Sequence, residues 1–239
     1  MQLFLLHFAG GNVFSFEFLR KESTNVDFIP LELPGRGKRH RENLIKNKDE
    51  AIADYCSQIK SLRNGEPYMI YGHSMGATLG LSVAAQMESA GDGPQSLIVS
   101  GNAGPGIKKR KDIVHHQLDD LNFKKELLSL GGIPEGISEN EELFDYFLPI
   151  MRADFECLEK SFFSEKGLKL NIPIHALMGA GEETCHQIEN WKNFTNHTFT
   201  SEIWDGNHFF IYKNAAALAH IFTSSVQKYL IHPNRNYYV

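Results

Sequence analysis

Short apolar runs rich in strand-forming residues punctuate the chain at residues 3–6, 26–31, 68–71, 97–100, 172–178 and 201–204. Between most of them the apolar positions take a helical spacing. The clearest case is 49–62, where Ile52, Tyr55, Cys56 and Ile59 fall at i, i+3, i+4 and i+7, one stripe of a helix. Asn47 and Glu50 precede that stripe at the spacing of a capping box. Residues 75–90 and 214–230 predict two further long helices. Strands that alternate with helices bury both faces of a sheet. The predicted class is therefore α/β, with a mostly parallel central sheet and helices on both faces, in one domain over 1–239.

The alternation fails from Gly104 to about Met151, where no strand is predicted. This segment opens with Gly104-Pro105-Gly106 and a basic run, Lys108-Lys109-Arg110-Lys111. Two helical patterns follow, separated by Gly131-Gly132-Ile133-Pro134. In the second, Phe144, Phe147, Leu148 and Met151 share one face, and Ser138 and Glu141 are spaced as a capping box. Pro149 has no N–H to donate and is expected to kink or end that helix. Helices inserted after a strand, with glycines at their edges, read as a lid over an active site, here 104–151. The plainer alternative is a helical pair packed on the sheet.

Composition narrows the class without redirecting it. Apolar residues make up 42% of the 239 and charged residues 22%, which suits a globular chain with its own core. The net charge of −5 gives no basis for general nucleic-acid binding. The three cysteines, Cys56, Cys157 and Cys185, are odd in number and far apart, so neither a metal site nor a disulfide framework is expected. Cys56 falls on an apolar helix face and reads as core. A reducing, cytoplasmic setting follows from that usage. Met1-Gln2-Leu3-Phe4-Leu5-Leu6 is apolar but has no basic flank and is too short to span a bilayer, so a buried first strand is expected and no membrane association.

The chemistry gathers around Gly72-His73-Ser74-Met75-Gly76, which follows a strand pattern and opens a helical one. That is the form of a nucleophile elbow, a sharp turn that holds a serine hydroxyl at the tip of a sheet and needs small residues two before and two after it. A serine needs a base, and the base an orienting acid. Of the histidines downstream of Ser74, His208 lies in a loop after the last strand and before the last helix, where a general base belongs. The acid should follow the run at 172–178, where the loop reads Gly179-Ala180-Gly181-Glu182-Glu183-Thr184. Glu182 is the first candidate, with Glu183 and Asp205 as alternatives. An oxyanion hole needs two backbone N–H groups. Met75 supplies one at a helix start, and Ala9 or Gly10, in the glycine-rich turn after the first strand, supplies the other. His115-His116 and the remaining histidines read as solvated or core residues.

Five pieces in order extend the pattern over residues 8–210: Phe8-Ala9-Gly10-Gly11, Leu33-Pro34-Gly35-Arg36-Gly37, the elbow, Arg152-Ala153-Asp154-Phe155, and Gly206-Asn207-His208-Phe209-Phe210. With them the chain resembles the type II, stand-alone thioesterases of nonribosomal peptide and polyketide assembly lines. That resemblance implies an α/β-hydrolase fold with a helical lid. It implies hydrolysis of acyl thioesters from the 4'-phosphopantetheine arm of an acyl or peptidyl carrier protein, as an editing step, with no cofactor and no metal of its own. It carries Ser74 as nucleophile, His208 as base, and the amides of Ala9 and Met75 as the oxyanion hole. The chain departs from the family at Glu182, where an aspartate is usual, and at His7, where a proline is usual; His7 reads as a half-exposed strand-end residue. Arg36, Lys38, Arg39 and Arg41, or Lys108–Lys111, could steer an acidic carrier protein, with a solvated loop as the alternative. A general carboxylesterase and a carrier-binding module without catalysis remain the other functional readings. A monomer is the default.

Overall fold

Each apolar run forms a strand, and every strand pairing is parallel. The strands are β1 (Gln2–Leu6), β2 (Asp27–Pro30), β3 (Tyr68–His73), β4 (Leu97–Ser100), β5 (Ile174–Gly179) and β6 (Phe199–Trp204). Their order in the sheet is β2-β1-β3-β4-β5-β6. This is a computed structural model, and it describes residues 1–22, 25–107, 113–129, 133, 139–161 and 164–231. Every residue of β1, β3 and β4 is buried, which is why these runs are continuously apolar rather than alternating. Edge strand β6 is exposed at alternate positions along its first half.

Helices α1 (Lys48–Leu62) and α2 (Met75–Ser89) cover one face. Tyr55, Ile59, Leu79 and Val83 pack there with the inward side chains of β1 and β3. The other face is covered by α6 (Ala215–Ile231), which follows the short α5 (Phe210–Lys213) and buries Leu218 and Phe222 against Leu3, Leu5 and Tyr71. Asn47 caps α1, its side chain accepting from the N–H of Asp49 and of Glu50. β2 lies on one side of β1, and β3 to β6 lie on the other. The chain therefore reverses its winding between β1 and β3, and the crevice at their carboxyl ends is where such sheets bind ligands.

Between β4 and β5 lie α3 (Asp120–Ser129) and α4 (Glu141–Glu159). They form a separate apolar cluster in which Phe123 and Leu127 meet Phe144, Leu148 and Met151. One expectation is corrected here and another loses one of its two alternatives. Asn140 caps α4, its Oδ1 accepting from Leu143 N–H at 3.0 Å; Ser138, the expected cap, lies outside the described residues. Pro149 does not end the helix, which runs on to Glu159. A mid-helix proline costs about 3 kcal/mol. Four buried side chains around it, Phe144, Leu148, Ile150 and Met151, return about 2 kcal/mol each, so packing prevails. Lys108–Lys111 and Gly131-Gly132 also lie outside the described residues.

Candidate active site

β3 ends at His73, and the next residue turns the chain into α2. Ser74 has φ 55° and ψ −110°, the sole positive φ outside glycine among the described residues. A side chain in that region costs about 1–3 kcal/mol, so the surroundings must hold it. Ser74 N–H donates to the Ser100 carbonyl at 2.8 Å, and the Ser74 carbonyl accepts from Asn102 Nδ2 at 3.1 Å. A Cβ on Gly72 would overlap the Gly76 carbonyl, and a Cβ on Gly76 would overlap the Leu6 carbonyl. The glycines thus let the elbow fold on itself and press against the end of β1. Behind it, burial holds the His73 pKa well below its ordinary value, with His208 adding to the effect. The His73 ring sits 5.0 Å from that of His208, centroid to centroid.

The fold brings Glu182, the first candidate acid, to His208. Glu182 Oε2 accepts from His208 Nδ1–H at 2.7 Å, and Glu182 Oε1 accepts from Gly179 N–H at 2.8 Å. A bond from Gly181 N–H to the Gly206 carbonyl at 2.9 Å ties the two loops together. Donation through Nδ1 leaves Nε2 as an acceptor, the tautomer a general base requires. Glu183 and Asp205 are both exposed.

Ser74, His208 and Glu182 line one cavity of about 480 Å³, together with Ala9 and Met75. Among the described residues, His208 makes no hydrogen bond to the Ser74 hydroxyl. In serine hydrolases without substrate this contact is often long. The cavity wall is otherwise mainly apolar, with Ile107, Val114, Leu127, Met151, Phe155 and Leu158 contributing.

The turn after β1 separates its amides by use. Gly10 N–H donates to Asp154 Oδ2 at 2.8 Å, and Gly11 N–H to the Phe8 carbonyl at 2.8 Å. Ala9 N–H has no acceptor among the described residues. Asp154 in turn takes a bidentate hydrogen-bonded ion pair from Arg36, at 2.6 and 2.8 Å, with both side chains 1% exposed. The expectation of a half-exposed His7 is corrected here. His7 is fully buried rather than half exposed; its Nδ1–H donates to the Phe8 carbonyl and its Nε2 accepts from Leu33 N–H. Burial, with help from Arg36, lowers its pKa to about 4. In the basic cluster at 36–41, Lys38 and Arg41 are exposed. Arg36 is core, and Arg39 is engaged by Glu42 and Asp54.

A second acidic clamp escaped the sequence reading. Glu159, near the end of α4, accepts from the backbone N–H and the Nδ1–H of both His115 and His116, at 2.6–3.1 Å. Burial alone would raise the Glu159 pKa, but these four bonds outweigh it and hold it at about 2. Arg152 grips the same strap from the other side through the carbonyls of His116 and Leu118. His115 and Glu159 both line the cavity. The adjacent histidines carried no metal-ligand spacing, and their partner lies 43 and 44 positions away, so periodicity could not reveal it. Among the described residues no group of three His, Cys, Asp or Glu side chains could hold a metal ion, and no helix is long and apolar enough to cross a membrane.

Comparison with known proteins gives consistent matches. The family model described as "Thioesterase domain" matches residues 1–226. "Linear gramicidin dehydrogenase LgrE" of Brevibacillus parabrevis is 30% identical over 236 residues, covering 96% of this chain and 89% of that protein. Among solved structures, ClbQ from the colibactin NRPS/PKS pathway has a TM-score of 0.88 at 28% identity, covering 96% of this chain and 98% of its own. The type II thioesterase BorB from the borrelidin biosynthetic cluster has a TM-score of 0.83 at 30% identity, covering 94% and 91%. The word dehydrogenase belongs to the name of that relative alone. The turn after β1 reads Phe8-Ala9-Gly10-Gly11, and the Gly-x-Gly-x-x-Gly spacing that cradles a dinucleotide pyrophosphate occurs nowhere in the chain.

Proposed function

The chain belongs to the thioesterase domain family and has the α/β-hydrolase fold, and from that premise we propose that it is a type II thioesterase of a nonribosomal peptide or polyketide assembly line. It removes stalled or aberrant acyl groups from the 4'-phosphopantetheine arm of a carrier protein. The observation that carries the reading is the Glu182–His208 hydrogen bond in the cavity that also holds Ser74 at its strained backbone position. The relatives named for the colibactin and borrelidin pathways support the assembly-line setting.

Ser74 Oγ attacks the thioester carbonyl carbon while His208 Nε2 takes its proton. The carbonyl oxygen becomes an oxyanion between the N–H groups of Ala9 and Met75; a single such donor contributes about 3–4 kcal/mol to the barrier. Collapse expels the pantetheine thiolate, which takes the proton from His208. Water, deprotonated by His208, then releases the carboxylic acid from the acyl-serine. Glu182 holds the imidazole in register and stabilises its charged form. These steps run on protein groups alone, in the cytoplasm, with the substrate brought by the carrier. The helices of 104–151 serve as the lid over the acyl group.

The test compares an acyl-pantetheine thioester with the matching oxygen ester, using the wild-type protein and Ser74→Ala. Faster Ser74-dependent release of the thioester, and release of acyl groups from a loaded carrier protein, are expected. Preference for the oxygen ester would make the protein a carboxylesterase. Carrier binding with no Ser74-dependent hydrolysis would make it a binding module.

A further inference from the structure

The Pro-Gly-Arg and Arg-Ala-Asp-Phe motifs, 118 residues apart at Arg36 and Asp154, converge on one buried contact that the reaction scheme leaves unused. Asp154 has more acceptor capacity than Arg36 takes up. Its Oδ2, already 2.6 Å from Arg36 Nη1, also accepts the Gly10 N–H at 2.8 Å. Gly10 stands at φ +78°, a conformation for glycine, and a Cβ there would lie 2.8 Å from Met151 Cγ. The turn is therefore held from both sides by α4: Asp154 pulls on the amide and Met151 fills the space against the α-carbon. Gly11 N–H closes the turn on the Phe8 carbonyl. One peptide back lies the N–H of Ala9, a residue that lines the cavity; it has no acceptor among the described residues.

We infer that Asp154, locked by Arg36, is a positioning residue that orients the Ala9 N–H toward the reacting carbonyl. This rests on Ala9 being an oxyanion donor. The physical reason is geometric. An amide that stabilises an oxyanion must be aimed before the charge develops, and a misplacement of about 1 Å costs on the order of 100-fold in rate. A glycine-rich turn cannot hold such an aim unaided. Removing the Gly10 acceptor frees the turn without touching Ser74, His208 or the acyl pocket. Substrate affinity should then survive while turnover falls. The ion pair also suits a fixed anchor. Arg36 brings two parallel N–H bonds, and with 1% exposure neither partner is available to water.

The experiment uses two double variants that both avoid an uncompensated buried charge. Arg36→Gln with Asp154→Asn keeps an oxygen to accept from Gly10. Arg36→Met with Asp154→Leu removes it at similar volume. Fold is checked by circular dichroism and thermal melting, and hydrolysis of an acyl-N-acetylcysteamine thioester gives kcat and KM. The Met/Leu pair is expected to lose tenfold to a hundredfold in kcat with KM within threefold. It should also bind an alkylboronic acid, whose serine adduct places an oxygen in the oxyanion hole, correspondingly less well. The Gln/Asn pair should recover most of both. Equal kcat in two folded double variants overturns the inference. Gly10→Ala leaves the ion pair intact and strains the same turn, so it reads the link should a double variant not fold; an unchanged kcat there overturns it equally. If wild-type hydrolysis does not depend on Ser74, the thioesterase mechanism fails first, and the boronate binding no longer reports this site.

Discussion

Glu182→Gln should abolish turnover while leaving the fold in place. The carboxylate accepts two hydrogen bonds in fixed directions, Oε1 from Gly179 N–H at 2.8 Å and Oε2 from His208 Nδ1–H at 2.7 Å. A glutamine offers one oxygen and one NH₂, so one end must meet a donor with a donor. Gly179 closes β5, and its N–H cannot turn away. The imidazole can move its proton from Nδ1 to Nε2. The amide oxygen therefore stays on Gly179, the NH₂ faces His208, and the imidazole answers with the wrong tautomer. An N–H then points at Ser74 where a lone pair is required. The corresponding amide swap in the Ser-His-Asp triad lowers kcat about 10⁴-fold, or roughly 5 kcal/mol at 1.36 kcal/mol per decade. A hydrogen bond lost without a change of tautomer would cost only about 1–3 kcal/mol, which separates the two explanations. Thiol release from an acyl-N-acetylcysteamine thioester near pH 7.5 measures kcat, and a thermal melt checks the fold. The reasoning is refuted if folded Glu182→Gln stays within tenfold of wild type. It is refuted equally if Asp205→Ala or Glu183→Ala loses 10³-fold while Glu182→Ala does not.

Other expectations follow from the packing. Arg36→Met alone leaves the Asp154 charge buried and unpaired, and should lower unfolding free energy in urea by about 3–5 kcal/mol, whereas the Met/Leu double variant should recover much of it. Gly76→Ala drives a Cβ into the Leu6 backbone and should yield insoluble or inactive protein, whereas alanine at Gly65, where nothing lies within 4 Å, should cost less despite its positive φ. Glu159 titrates at about 2 in the folded state, below the ordinary 4.5, so its stabilisation is complete above pH 4.5 and is lost as the pH falls through 2. Acid unfolding of Glu159→Gln should lack up to about 3 kcal/mol of that dependence, and an unchanged acid limb would contradict the clamp. His7 titrates at about 4, below its ordinary 6.5, so its neutral burial favours the fold above pH 6.5 and costs stability as the pH falls toward 4. A His7→Gln variant should show a shallower loss of stability between those values.

The sheet and the elbow were legible because their causes are local. A strand buried on both faces must be continuously apolar, and a turn that folds onto itself must have glycine at 72 and 76. The candidate acid was legible as a loop more than as a residue. Sequence order placed it after β5, but the choice of Glu182 over its neighbour rests on Gly179 N–H and the tie between Gly181 and Gly206, neither of which has a sequence signature. Arg36 shows the opposite case. In sequence it stands among Lys38, Arg39 and Arg41 as a basic run; in the fold it is the one member taken inside, paired with a carboxylate 118 residues away that no local pattern reveals. His7 was misjudged because a polar residue at a strand end is commonly exposed, and here both ring nitrogens find backbone partners that permit burial. Pro149 does not end the helix, because what the helix buries on either side outweighs its intrinsic cost.

That proline leaves α4 one rung short. Without its N–H, the Asp145 carbonyl loses its i+4 partner, and the helix is softest at that level. On one side are Phe144 and Leu148, which pack with α3; on the other, Asp154 holds the turn after β1. A missing rung between them acts as a mechanical fuse. If the proposed acyl substrate crowds the outer half, the expected response is a tilt at Pro149 instead of a lever on Gly10. On the proposed mechanism, substrates of different bulk would then be accommodated without detuning the Ala9 amide.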